Sequence, residues 1–188
     1  MDEINEDAYF EAKVRKHQQE VARCMLIFAR KLIERATTHD ASKLKSPERE
    51  IYMKYAPKLR DTTYGSDEYK QYLNEMKVAL SHHYAANKHH PEHYYNHVKK
   101  GDSAICLMSL VDIVEMICDW YAAGQQHADG NFNHSIDINE EQYNIHKQLS
   151  QVFRNTAEMF DCPRPPMVRD GEIIVRGKRK EQQAFDDH

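Results

Sequence analysis

The sequence predicts an all-α fold, a bundle of five or more helices carrying a small C-terminal β-hairpin. Three observations predict it. Apolar residues recur at helical spacing through most of the chain. The segment from Ser103 to about Ala123 is apolar nearly all round, as the central helix of a bundle is. There is no internal repeat, and strands do not alternate with helices as a parallel sheet requires. With 188 residues, the chain is long enough for one domain with a real core and too short to expect two. The expected organisation is a helical domain over residues 1–162 and a hairpin and tail over 163–188.

The first helix is expected from about residue 7 to 37, with Phe10, Val14, Val21, Cys24, Met25, Phe28 and Leu32 on one stripe and His17 among them. A second begins at SPERE, with Ser46 as cap, Pro47 in the first turn and Glu48 favouring the helix dipole. It runs through Ile51, Tyr52 and Tyr55, and Pro57 with RDTTYGSD is expected to break it. A third starts near Ser66 or Asp67 and turns Tyr69, Tyr72, Leu73, Met76, Ala79 and Leu80 inward. His83 and Asn87 follow in phase, while His82 points about 100° away from His83. Pro91 restarts the chain, and Ser103 opens the fourth helix. HADGNFNHSIDIN then reads as a polar loop, and Asn139 with Glu140 and Glu141 reads as the cap of a fifth helix reaching about Phe160. CPRPP ends that helix. MVRDGEIIV holds a DG turn between β-forming residues, and GKRKEQQAFDDH reads as a frayed tail.

Bulk properties narrow the function. The formal net charge of -4 argues against general nucleic-acid binding but leaves room for a local basic pocket for a small phosphate compound. The longest apolar run, ICLMSLVDIVEMIC, is too short to span a membrane and carries two acids. The N-terminal MDEINEDAYF lacks the basic and apolar regions of a signal peptide, so a cytoplasmic location is expected. Cys24, Cys106, Cys118 and Cys162 show no CxxC pairing, which points to reduced thiols. A bound metal would therefore be held by histidine and carboxylate.

The residues able to do this are spread along the chain. His39 and Asp40 stand side by side after the first helix and can offer an imidazole nitrogen and a carboxylate oxygen to one divalent ion, or to two if the carboxylate bridges. His17 lies on the apolar stripe leading into them, where an uncharged imidazole needs a partner. Asp112 sits midway along the most hydrophobic segment, where an unpaired carboxylate would be costly. One ion contacting His17, His39, Asp40 and Asp112 would satisfy all four. The plainer alternatives are a core histidine bonded to a carbonyl, and a solvent-facing acid stripe shared with Glu115 and Asp119. SHHYAANKHHPEH supplies further histidines, of which His83 has the inward phase, with His89 or His90 next. His93 and His97, four apart, read as the polar rim of the site. Asp119, Trp120 and His127 read as a second polar cluster.

The order His17, His39-Asp40, Asp112 resembles the H...HD...D pattern of the HD-domain metal-dependent phosphohydrolases. That resemblance implies a helical bundle whose His, His-Asp and Asp hold one or two divalent ions and whose members cleave phosphate esters of nucleotides. Lys43 in HDASK looks like the lysine of the HDxGK variant among cyclic-nucleotide phosphodiesterases, with Ser42 in place of its glycine. His83, His89 and His90 are similar in kind to the additional ligands of that variant. A closer resemblance runs from HDASK through HHYAANKHHPEH to DIVEMICDW and HADGNFNHSIDIN. It is to an uncharacterised domain-of-unknown-function family of bacteria and their phages, and it implies a fold and motifs but no activity.

The expected roles follow. Asp40 holds the ion or ions (Mn, Mg, Co, Ni or Fe) that activate water, and Lys43 reaches a phosphate oxygen as a point charge. Glu48 and Glu115 are candidates for a general base or for orienting a ligand histidine. Tyr84 and Asn87 are candidates for substrate contact, Tyr84 by stacking on a base. The substrate expected is a nucleotide or related small phosphate ester, and a homodimer remains open. Two alternatives stand beside hydrolysis: a di-iron oxygenase on the same ligands, and a non-catalytic protein that binds a partner or sequesters a nucleotide.

Overall fold

In a computed structural model of the chain, residues 5–60, 62, 66–125 and 131–160 are described, together with the backbone of two short strands further on. Seven α-helices account for most of them. Helix α1 spans Glu6–Thr38 and is capped by Asn5, whose side chain accepts the Ala8 N–H at 3.1 Å. Glu6 and Asp7 sit in its first turn, where the helix dipole favours acids. No residue of α1 is buried, so most of its apolar stripe, expected to face the core, faces solvent, with Phe28 and Leu32 half-buried. Only its C-terminal part packs on the body, against α5.

The chain turns sharply after α1. Asp40 adopts the left-handed conformation with φ 54° and ψ 17°, which Asp tolerates better than most side chains. A 3-10 turn over Ala41–Leu44 then leads into α2, Glu48–Arg60. Pro57 lies inside α2 rather than ending it. The helix expected from Ser66 onward is divided in two at Met76, into α3 (Asp67–Glu75) and α4 (Lys77–Ala86). Ser66 caps α3 by accepting the Tyr69 N–H. Helix α4 packs on both α2 and α3, burying Tyr55, Met76 and Ala79.

The long helix expected from Ser103 is likewise divided. A 3-10 turn covers Ala104–Leu107, and α5 starts only at Leu110 and runs to Gly124. The reason is local: Ser109 and Asp112 form a reciprocal capping box, which fixes the helix start seven residues later than the apolar pattern suggests. Part of the expected polar loop is helix α6, Phe132–Gln142, capped by the Asn131 side chain. Asn144, with φ 50°, turns the chain into α7, Lys147–Phe160. Helices α5, α6 and α7 enclose the main core, where Met116, Ile117, Phe132, Ile136 and Phe153 are buried and Trp120 packs against them. Each such side chain contributes roughly 1.5–3 kcal/mol when fully buried.

Met167–Arg169 and Glu172–Ile174 pair antiparallel, Val168 opposite Ile173. The tail GKRKEQQAFDDH, His127 and Cys162 lie outside the described residues. Among the described residues, no helix is long and apolar enough to cross a membrane.

Candidate metal centre

Four short pieces of backbone converge on one point. The turn after α1 brings His39 and Asp40, the end of α4 brings His83, the segment after it brings His89 and His90, and the middle of α5 brings Glu115 and Asp119. The packing of α4 on α2 also delivers Glu48 at the first turn of α2. Asp40, His83, His89 and His90 each point one ligand atom into a group whose members lie within 4.8 Å of one another, a set that could hold a metal ion. His83 and His89 are each only 1% exposed.

The outer nitrogens of these rings are tied down. Glu48, fully buried, accepts from His83 Nδ1 at 2.8 Å and from His82 Nδ1 at 2.7 Å, while the Ser42 hydroxyl donates to it at 2.9 Å. Glu115 Oε1 accepts from His39 Nδ1 at 3.0 Å and lies 3.1 Å from His89 Nδ1. A neutral imidazole that donates from Nδ1 presents a lone pair at Nε2, the arrangement in which carboxylates orient metal-binding histidines.

Two of the inner atoms have no such answer within the protein. His83 Nε2 lies 2.9 Å from His90 Nε2 and 3.2 Å from Asp40 Oδ1, and His89 Nε2 lies 3.5 Å from the same oxygen. His89 Nε2 and Asp40 Oδ1 are both buried with no hydrogen-bond partner. Buried acceptors facing one another without a donor are costly, and a cation between them removes the cost. The donor set therefore fits a metal ion: three imidazole nitrogens and a carboxylate oxygen, with supporting carboxylates in place for His83 and His89.

A second donor set adjoins the first. His39 Nε2 lies 3.5 Å from Asp40 Oδ2 and 3.5 Å from Asp119 Oδ1, and these three also form a group able to hold an ion. Asp40 serves both sets, Oδ1 facing one and Oδ2 the other. Lys43 Nζ donates to Asp40 Oδ2 at 2.5 Å and lies over the Tyr52 ring, 5.2 Å from its centre.

The electrostatics follow this arrangement. Burial pushes the Asp40 carboxyl up, but the neighbouring His83 ring and the hydrogen bond and charge of Lys43 outweigh it and hold the group well below the usual range. Glu48 is lowered in the same way against burial by His82, Ser42 and His83. The carboxylates of Asp119 and Glu115 push His39 up to about 10. Burial, with His89 and His83 alongside, pushes His90 down to about 3.

A cavity of about 840 Å³ opens onto the cluster at His90 and Asp119, walled by Tyr52, Tyr84, Trp120 and Tyr143. Its size suits a small organic ligand. Tyr84 lines it. Asn87 lies instead on a smaller cavity on the other side, and its amide donates to Ser42 Oγ at 2.9 Å and to the His83 carbonyl at 2.8 Å. That makes Asn87 a support for the His83 turn rather than a wall of the larger cavity.

Two expected ligands are placed elsewhere. His17 lies on the exposed part of α1, 22 residues before His39, or about 33 Å along a straight helix. Asp112 is committed to other partners: Oδ2 accepts from the Ser109 N–H, the Ser109 hydroxyl and the Tyr94 hydroxyl, and Oδ1 accepts from Arg35 at 2.7 Å. Its place among the donors is taken by Asp119, two turns further along α5. His82 is half exposed and meets the outer oxygen of Glu48. His93 donates from Nδ1 to the Tyr84 carbonyl at 3.0 Å, while His97 and His134 are exposed. Asp119 had a signal in the sequence, since it shares the stripe of Asp112 seven residues on. Arg35, which also donates to Glu115 Oε2, had none beyond being a base in a last helical turn.

A family model described as a family of unknown function, DUF5662, matches residues 6–159. The chain belongs to this family. Every residue of the DUF5662 chain placed in the two donor sets falls inside the matched span, as do Lys43, Glu48 and Glu115. No curated protein and no solved structure matches the chain.

The two histidines of the HH pair at 82–83 separate the inner positions from the outer ones. His83→Ala removes a donor that is 1% exposed and is expected to lower metal retention at least 10-fold, whereas His82→Ala removes a contact to Glu48 and is expected to change it by about 3-fold or less. Metal content after dialysis against a weak chelator measures both. Equal losses would show that the inner nitrogens are not the ones that matter.

Proposed function

We propose that this chain is a divalent-metal-dependent phosphohydrolase acting on a nucleotide or a related small phosphate ester. The observation that carries the proposal is the Asp40 carboxylate, which faces two adjacent donor sets with its two oxygens while Lys43 stands beside one of them. One or two ions held there would supply Lewis acidity to a phosphoryl oxygen and acidify water beside it.

The chain's own residues supply the rest. Glu48 and Glu115 hold His83, His89 and His39 in the orientation and tautomer that leave Nε2 free toward the centre. Neither glutamate faces the larger cavity, so orienting the rings is the role their contacts support, not proton transfer. Lys43 would donate to a phosphate oxygen in exchange for Asp40 Oδ2, with the Tyr52 face beside its charge. Tyr84 and Trp120 give the cavity wall flat surfaces on which a base can stack.

One observation favours a second reading. The first donor set holds three imidazole nitrogens and the second adds another, a nitrogen-rich composition that also suits iron. Under that reading the centre is a di-iron oxygenase.

The experiment is a panel of nucleotides and simple phosphate mono- and diesters, assayed with Mn, Mg, Co, Ni and Fe. Phosphohydrolysis predicts metal-dependent release of phosphate or of an alcohol from at least one class, and a loss of about 100-fold in kcat/KM for Lys43→Met. No hydrolysis with any metal, together with stoichiometric iron and a visible charge-transfer band in anaerobically purified protein, would favour the oxygenase.

A further inference from the structure

Helix α1 turns its apolar residues toward solvent rather than toward its own chain. Phe10 and Met25 are each 67% exposed, Ile27 50% and Val21 44%. A helix standing free in water with such a face lacks the tertiary packing from which most helical stability comes. Along it, Phe10, Val14, His17, Val21, Cys24 and Phe28 follow one another at steps of four, three, four, three and four. This is the heptad spacing of a two-helix seam.

Two properties identify the occupant of that seam. The spacing reads the same in both directions, so a second α1 laid antiparallel sets Phe10 opposite Phe28, Val14 opposite Cys24 and His17 opposite Val21. The charges are polar along the helix: its first six residues hold Glu6, Asp7 and Glu11 and no base, whereas near the other end Arg30 and Lys31 share the single acid Glu34. Antiparallel pairing brings Asp7 opposite Lys31. Parallel pairing would stack Asp7 on Asp7 and His17 on His17, which opposes like groups.

We propose that two copies of this chain associate through an antiparallel pairing of their α1 helices, an isologous two-fold interface centred between His17 and Val21. The size is adequate. The Phe10 rings of two chains, set against the half-buried Phe28 rings, can bury roughly 400 Å², and Val14, Val21 and Cys24 on the seam with the exposed Met25 and Ile27 flanking it bring the total to the order of 1,200 Å² that a specific interface needs. The two metal-site bodies, packed on α1 through its C-terminal part, then lie at opposite ends of the helix pair. This pairing does not depend on what the metal site does.

Light scattering on the full chain at about 50 μM should give twice the 22.1 kDa chain mass, and Val21→Glu, at an exposed position, should give the single-chain mass with an unchanged circular dichroism spectrum. The orientation is tested by oxidation. Val14→Cys should cross-link to Cys24 of the other copy and lose the link in a Cys24→Ser background. Wild-type Cys24 should not link to itself, since the two sulfurs would be offset by about 15 Å. A monomeric wild type, a dimer that survives Val21→Glu, or self-linking of wild-type Cys24 would each overturn the proposal.

Discussion

Asp40→Asn is expected to abolish stable metal binding and, with it, phosphate release. Carboxylates that only orient a ligand histidine are worth about 10–100-fold in metal affinity. Asp40 belongs to both donor sets itself, so its loss should exceed that range, and an on-the-order-of-1,000-fold loss is the expected result. Asparagine is the informative replacement because it accepts the left-handed backbone that Asp40 adopts, with φ 54°. The turn that places His39 is then preserved, and the charge alone is removed. The metal-free variant should unfold somewhat below metal-free wild type, because the lowered Asp40 carboxyl contributes stability at neutral pH, while the metal-loaded difference should be much larger, since an ion that binds only the folded state raises stability by mass action. A variant that retains stoichiometric metal would remove Asp40 from the centre.

Arg35→Met is expected to have the largest effect on stability. Arg35 joins the last turn of α1 to α5 by donating to Asp112 and Glu115, whose side chains are 8% and 10% exposed. Removing the guanidinium leaves two nearly buried carboxylates with hydrogen bonds but no charge partner from α1. Breaking such a pair costs about 3 kcal/mol, or roughly 6–12 °C in the unfolding midpoint of a chain this long. The loss should depend on pH. Burial raises the Glu115 carboxyl, but hydrogen bonds from His39, His89 and Arg35 hold it well below its ordinary value of 4.5. A carboxyl lowered by folding contributes its stability in full above the unfolded value and loses it as pH falls below. The gap between chelated wild type and Arg35→Met should therefore be full at pH 7 and narrow on acidification below about 4.5. A gap that is constant with pH would mean that packing of the Arg35 stem, not its charge, is responsible.

What the sequence made legible is uneven, and the reasons are physical. Helical phase was enough to separate His83 from His82, because Met76, Ala79 and Leu80 define the inward side of that segment even though the helix is interrupted at Met76. Phase could not choose between Asp112 and Asp119. The two share a stripe, and the choice depends on where α5 begins, which the Ser109–Asp112 capping box decides. SLVD carries that signal, but the apolar residues before it suggest a longer helix. His17 illustrates the converse. Its stripe is apolar and periodic, yet periodicity states only that a face needs covering, not that the chain's own core covers it. Helix α6 was hidden for lack of apolar residues: among eleven positions only Phe132 and Ile136 are buried, too few to outweigh the surrounding Asn, His and Asp.

The functional reading depends on one location, the point between Asp40 Oδ1 and the Nε2 atoms of His83, His89 and His90. Crystals of protein grown with Mn, with diffraction recorded on both sides of the Mn absorption edge, test it directly. The prediction is an anomalous peak within coordination distance of that carboxylate oxygen and of at least two of those nitrogens, with a second peak, when present, beside His39 and Asp119. A peak seated instead at His17 or Asp112, or stoichiometric Mn bound away from Asp40, would contradict it.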